Sequence, residues 1–184
     1  MDDQTRISQL AKEEFPGCAA LFDDLPGVLD RWLERTLECH SEETVRFLGA
    51  EKDPFRNPVG HTLRENLSVL LEQVLGEMKP EPVQAALQNI IRIRAVQDLT
   101  PSQAVQFIFQ LRPILRELHA SVNYEVLDDR IDQLGLRAFE EYSRCRERIA
   151  DLRISESRRG MYMAAAQREP ALSKPGSNEQ GFSA

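Results

Sequence analysis

The chain has 184 residues, of which 41% are hydrophobic and 29% are charged, so it can build a core and is not disordered throughout. That length suits one compact domain with tails. Acidic side chains outnumber basic ones by 30 to 23, and the net charge of −7 argues against a surface built as a whole for nucleic acid or anionic membranes.

The first half of the chain is predicted to be helical with clear breaks. A short helix is expected over residues 4–14, and Phe15-Pro16-Gly17 ends it. A second helix opens near Pro26, because proline suits the first helical turn, and a short helix over residues 41–48 follows it. Residues 49–60 contain two prolines and two glycines, which predicts a loop in which Asn57-Pro58 starts a turn or a helix.

The middle of the chain contains three further helical patterns. The clearest stripe repeats every three to four residues and comprises Leu63, Leu67, Leu70, Leu71, Val74, Leu75 and Met78. A second helix is expected from Val83 to Val96. A third opens at Thr100-Pro101, where Gln103 completes a capping-box pattern, and Pro113 should bend it or leave one carbonyl free.

The last helix is predicted over residues 123–159, and Gly160 is expected to end it. At 1.5 Å per residue this helix is about 55 Å long, so its distal third should project from a compact domain. The predicted organisation is an N-terminal segment with a short helix (1–24), a helical domain (25–160) and a disordered tail (161–184). The apolar stripe of the predicted last helix comprises Leu127, Ile131, Leu134, Ala138, Tyr142, Cys145, Ile149 and Leu152.

Nothing in these patterns predicts a catalytic, metal or cofactor site. The histidines His40, His61 and His119 lie near helix ends and in none of the spacings that place two metal ligands together. Cys145 is in register with apolar residues, where a thiol acts as a small hydrophobic group. The chain also lacks the GxSxG, GxGxxG and GxxxxGK[ST] motifs, so we expect neither an enzyme nor a cofactor-binding protein.

Arg94 is the one charged side chain expected on an inner helix face, three residues after Ile91. Either its stem covers the edge of the core while the guanidinium reaches water, or it forms a partly buried ion pair. Glu65, Asp98 or another acid would be the partner, and these residues would form a structural polar network.

The distal part of the last helix is the predicted interaction surface. Arginines and acids alternate over residues 144–159 without aromatic residues, which is typical of a solvated helix and not of a nucleic-acid site. Its apolar side chains need a cover, and a second copy or another protein would supply it. The candidate interaction residues are Tyr142, Cys145, Ile149 and Leu152.

The sequence also predicts a cytoplasmic protein. The acidic start has no apolar run behind it, so it does not resemble a secretory signal. No stretch approaches the roughly 20 apolar residues of a membrane-spanning helix, and three cysteines without a CxxC pair favour a reducing compartment.

Three blocks of sequence resemble the RsbRD N-terminal domain family. They are KDPFRNPVGHTLRE at residues 52–65, IRAVQDLTPSQA at residues 93–104, and LDDRID at residues 127–132 with Phe139 and the stretch Tyr142 to Glu147. The resemblance implies a sensory or protein-interaction module with a globin-like fold of six to seven helices and a long C-terminal helix, without haem and dimeric.

In that family the domain precedes a STAS domain and takes part in stressosome-type control of an RsbT-like switch kinase. Here too few residues follow the last helix for a STAS domain, which predicts a stand-alone member. We therefore expect a regulatory homodimer with a further protein partner, such as a STAS or switch-kinase type regulator. The alternatives are an accessory subunit of a redox complex and a small-ligand sensor.

Overall fold

The computed structural model describes residues 24–38, 55–97, 99–118 and 124–168. These residues contain α-helices and no strands, which confirms the all-α prediction and the long C-terminal helix. They hold five helices, whereas six to seven were predicted, and the helices expected over 4–14 and 41–48 lie outside the described residues. The helices are α1 (Leu25–Leu37), α2 (Pro58–Leu75), α3 (Pro80–Ala95), α4 (Pro101–Leu118) and α5 (Glu125–Arg168).

Helix starts follow local sequence chemistry. The Asn57 side chain accepts a hydrogen bond from the backbone N–H of Gly60 at 2.8 Å and so caps α2. At α4 the backbone N–H of Thr100 donates to Gln103 Oε1 at 2.9 Å, and the N–H of Gln103 donates back to Thr100 Oγ1 at 3.4 Å. This reciprocal pair confirms the predicted capping box.

The core lies among the first four helices and the first part of α5. Helix α2 packs against α3 and α1, and α4 packs against α1 and α3. Burying these apolar side chains is the main driving force for folding. The side chains buried most completely include Trp32, Leu67, Leu70, Leu87, Ile90, Phe107, Ile108, Leu111 and Leu134.

The chain divides into two compact units between Arg146 and Glu147, within α5. In the first unit α5 buries Leu127, Ile131, Leu134 and Ala138, so it contributes one apolar face to the core. In the second unit every side chain from Asp151 to Met163 is exposed. The apolar pattern of α5 therefore serves two different environments.

Helix α5 ends later than predicted. The expectation that Gly160 ends it is wrong, because the helix continues to Arg168. Gly160 does not adopt the left-handed conformation of a helix C-cap, and the next six residues are methionine, tyrosine and alanine, with no proline before Pro170. A glycine costs only about 1 kcal/mol inside a helix, so its neighbours keep the helix intact. The predicted disordered tail therefore loses residues 161–168, and residues 169–184 lie outside the described part.

Candidate functional site

Arg94 is buried at the point where three helices meet. Only 2% of its surface is exposed, and its side chain extends from α3 towards the end of α1 and the start of α4. Its Nη1 donates to the carbonyl oxygen of Thr36 at 3.1 Å, its Nε to that of Ala104 at 2.8 Å and its Nη2 to that of Gln103 at 2.9 Å. The rigid guanidinium fork thus joins α1, α3 and α4.

Aromatic side chains complete this junction. The Arg94 guanidinium carbon lies 5.2 Å from the centre of the Phe107 ring, in a cation–π arrangement. Trp32 stacks beside the same ring with a centroid separation of 6.5 Å, and its Nε1 donates to the Phe107 carbonyl oxygen at 2.7 Å. We call Trp32, Thr36, Arg94 and Phe107 the Arg94 cluster. Its groups hold the helices in fixed positions.

The predicted polar network around Arg94 differs in its observed contacts. The prediction that the Arg94 guanidinium reaches water is wrong, because the side chain is buried. The Glu65 carboxylate is exposed and lies 3.1 Å from His61 Nε2, one turn away on α2. Asp98 lies outside the described residues. The contacts that the structure describes for Arg94 are to main-chain carbonyls and to the Phe107 ring.

Two further arginines bind helix C-termini in the same way. Arg130 Nη1 donates to the carbonyl oxygens of Val74 at 2.9 Å and Gly76 at 2.6 Å, at the end of α2. Arg146 Nη1 donates to the Ala95 carbonyl at 3.3 Å, at the end of α3. The last carbonyls of a helix lack intrahelical partners and carry the negative end of its dipole, so a cation from α5 satisfies both needs.

An ion-pair cluster connects α4 with the start of α5. Arg112 pairs with Asp128 at 2.8 Å and with Asp132 at 2.7 Å, while Arg116 pairs with the other oxygen of Asp128. The hydrogen bond that Arg112 donates to Asp132, aided by the charges of both aspartates, raises the pKa of Arg112 above its ordinary value. Arg112 therefore stays charged at any physiological pH, and its ion pairs with Asp128 and Asp132 connect α4 to α5.

Glu141 is a buried acid that the sequence patterns did not single out. It is 2% exposed, its Oε2 accepts from Gln84 Nε2 at 2.9 Å, and Cys145 Sγ lies 3.8 Å from its Oε1. Its position carried a signal, because it follows Ala138 by three residues and precedes Cys145 by four. That register places it on the buried stripe of α5.

The four predicted interaction residues fall into two environments. Tyr142 is 4% exposed, and its hydroxyl donates to the Leu99 carbonyl oxygen at 3.2 Å, while Cys145 is 6% exposed. Both belong to the packed interior of the first unit. In the second unit Ile149 is half-buried and Leu152 is 62% exposed. The uncovered part of the stripe therefore starts later than the sequence suggested.

Large apolar side chains are exposed over the second half of α5. Five of them lie within twelve consecutive residues, where soluble monomers rarely show so dense an apolar set. We call these five residues the C-terminal surface. They are Leu152, Ile154, Met161, Tyr162 and Met163.

The part of the chain that the structure describes has neither a metal-binding cluster nor a membrane-spanning helix. It contains no group of three or more histidine, cysteine or acidic side chains placed to hold a metal ion. None of its helices combines the length and the apolar character needed to cross a lipid bilayer. His40 and His119 lie outside the described residues, and His61 pairs with Glu65.

Comparison with known proteins gives one match. No curated protein and no solved structure is significantly similar to the chain. The family model described as the RsbT co-antagonist protein RsbRD N-terminal domain matches residues 26–157, well over half of the chain. The match contains helices α1 to α4, the Arg94 cluster and most of α5. The chain therefore belongs to the RsbRD N-terminal domain family.

Proposed function

We propose that this protein is a non-catalytic regulatory module that works as a homodimer and passes a signal by binding another protein. The family supports this role, since its model is named for a co-antagonist of a regulatory protein. The expected partner is a STAS or switch-kinase type regulator, by analogy with stressosome-type input domains. The proposal concerns binding, and no reaction is assigned to the chain.

The C-terminal surface is the observation that carries the proposal. Its five apolar side chains are between 50% and 77% exposed and lie within twelve residues of one helix. Burying apolar surface is worth about 25 cal/mol per Å², so covering these side chains would favour association. Exposed apolar side chains on a helix are a common recognition element for a partner protein.

The interior of the first unit supports binding over sensing of a small molecule or catalysis. Trp32, Phe107 and the Arg94 guanidinium fill the space between α1, α3 and α4. The buried carboxylate of Glu141 bonds Gln84 of α3. These polar groups are engaged in joining helices, whereas a ligand site needs polar groups directed into a cavity.

The test compares proteins captured from native lysate by the full chain and by Ile154→Glu. Ile154 is 50% exposed, so a glutamate there should leave the fold intact and disrupt an apolar contact. The matched control is Ser157→Glu, which adds the same charge at an exposed polar position one turn away. We expect a regulator that wild type and Ser157→Glu capture and Ile154→Glu does not.

Other outcomes separate the alternatives. Capture of redox-complex subunits with the same dependence on Ile154 would support the accessory role instead. The same set of proteins with all three chains, or no captured protein, would contradict the proposed role of the C-terminal surface.

A further inference from the structure

One side of the second half of α5 has three apolar and two charged residues at the spacing of a seven-residue repeat. From Ile149, alternating steps of three and four residues lead to Leu152, Glu156, Arg159 and Met163. This spacing places all five residues along one side of the helix, at the a and d positions of a coiled coil. We call these five residues the seam. Ile149 is half-buried and the other four are exposed.

Two opposite charges occupy the middle of the seam. Along the seam, Glu156 and Arg159 lie between the apolar residues Ile149 and Leu152 on one side and Met163 on the other. Neither charge forms an ion pair or a hydrogen bond within the part of the chain that the structure describes. A polar residue at an a or d position costs stability and selects the geometry in which it finds a partner.

A parallel, in-register pair of helices would bring like charges together. Glu156 would face Glu156 of the partner subunit, and Arg159 would face the partner's Arg159. At the flanking positions Arg148 would also face the partner's Arg153. Like charges at such sites oppose pairing, so the parallel orientation is electrostatically unfavourable.

An antiparallel pair matches four of the five seam residues. In antiparallel coiled coils an a residue packs against a d residue of the other helix. If the two-fold axis lies between residues 156 and 159, Glu156 contacts Arg159 of the partner subunit. By symmetry, Arg159 contacts the partner's Glu156. The same axis brings Leu152 against Met163 of the partner subunit, twice. Charge and apolar complementarity therefore select the same register.

We propose that two copies of this chain pair antiparallel through the seam, with reciprocal Glu156–Arg159 ion pairs fixing the orientation. This rests on the homodimer of the proposed function and identifies the surface that forms it. Ile154 and Met161 lie on the opposite side of the helix from the seam, so the pairing leaves them accessible to another protein. Self-association thus uses Leu152 and Met163 of the C-terminal surface, and the other protein would bind Ile154 and Met161 on the opposite face.

Charge reversal tests the ion pairs. In the full chain, Glu156→Arg or Arg159→Glu alone should raise the dimer dissociation constant by at least about tenfold, measured by sedimentation equilibrium. The double reversal should restore it to within about threefold, because the reciprocal pairs form again with their signs exchanged. Ser157→Glu is the control for added charge. Equal dissociation constants for all variants, or a wild-type monomer at tens of micromolar, would overturn the proposal.

Cysteine cross-linking tests the orientation. Leu152→Cys and Met163→Cys are exposed substitutions, and the antiparallel register places the two new thiols within disulfide reach only across the dimer. We expect an oxidised dimer when the two variants are mixed and none from either alone, with wild type as control for the native cysteines. Cross-linking of each variant with itself would show parallel pairing and refute the proposal.

These results are independent of the partner test. A failed cross-link between a dimer's two seams would refute the pairing, while capture that depends on Ile154 would still support the regulatory role. A successful cross-link together with capture that does not depend on Ile154 would support the pairing and contradict the proposed partner surface.

Discussion

Replacing Arg94 with methionine tests whether the Arg94 cluster holds the helices together. Methionine is similar in length, so it fills much of the same volume without a charge or hydrogen-bond donors. The substitution removes three hydrogen bonds to carbonyl oxygens on α1 and α4 and the cation–π contact with Phe107. It also removes the cost of keeping a guanidinium away from water.

The expected balance is a loss of stability. A hydrogen bond from a charged donor contributes about 1.5–3 kcal/mol net, and a buried carbonyl left without its donor costs about 1–3 kcal/mol. The relief of desolvation offsets part of this sum, so we expect Arg94→Met to lower the free energy of unfolding by about 3 kcal/mol. For a domain of this size that corresponds to a fall in Tm of about 6–12 °C.

Urea unfolding followed by circular dichroism measures the effect. Arg92→Met is the matched control, because Arg92 is exposed on the same helix, and its substitution should stay within about 0.5 kcal/mol of wild type. Arg94→Lys should fall between them, since an ammonium cannot reproduce the three fixed donor directions. If Arg94→Met unfolds at the same urea concentration as Arg92→Met, the hydrogen bonds only balance desolvation and the argument for the cluster fails.

Three further substitutions test other parts of the structure. Arg130→Ala removes the cation at the end of α2 and should cost about 2 kcal/mol in urea unfolding; an unchanged midpoint would show that water replaces the guanidinium. Glu141→Ala leaves Gln84 Nε2 without its acceptor and should cost about 2 kcal/mol in thermal unfolding, whereas Glu141→Gln should cost less; equal losses would refute a role for the hydrogen bond. Gly160→Ala meets no heavy atom within 4 Å and should stabilise this part of α5 by about 1 kcal/mol, seen as slower amide exchange; unchanged exchange would contradict a continuous helix there.

The helix starts could be read from the sequence because their chemistry is local. Asn57 caps α2 through a residue three positions away, and Thr100 and Gln103 cap α4 over the same distance. The end of α5 could not be read in this way. A single glycine is a common stop signal, but its effect depends on whether the following residues favour another conformation, and Met161 to Ala166 favour the helix.

The partners of Arg94 could not be predicted from periodicity. The spacing placed Arg94 on the inner face of α3, and the structure agrees. Its described partners, however, are main-chain carbonyls of residues 36, 103 and 104, which come together only when α1 and α4 pack. Periodicity identifies side chains that share a helix face, and it does not identify main-chain acceptors on other helices.

The same limit explains the divided interaction surface. Tyr142, Cys145, Ile149 and Leu152 follow one regular spacing, so the sequence gives no sign of a change between them. The change from buried to exposed side chains depends on where the packed domain ends along α5, which is a property of tertiary structure.

The blocks that resemble the family contain the residues that fasten the helices to one another. Arg94 and the Thr100–Gln103 capping box lie in one block, and Arg130 and Arg146 lie in another. Their side chains donate to backbone carbonyls or accept from backbone N–H groups, which every chain of this fold possesses whatever it binds. What the family match transfers to this protein is therefore an architecture. Recognition of a particular partner must depend on exposed side chains that the fold does not require. In the part of the chain that the structure describes, five of the twelve exposed large apolar side chains lie within twelve residues on the second half of α5.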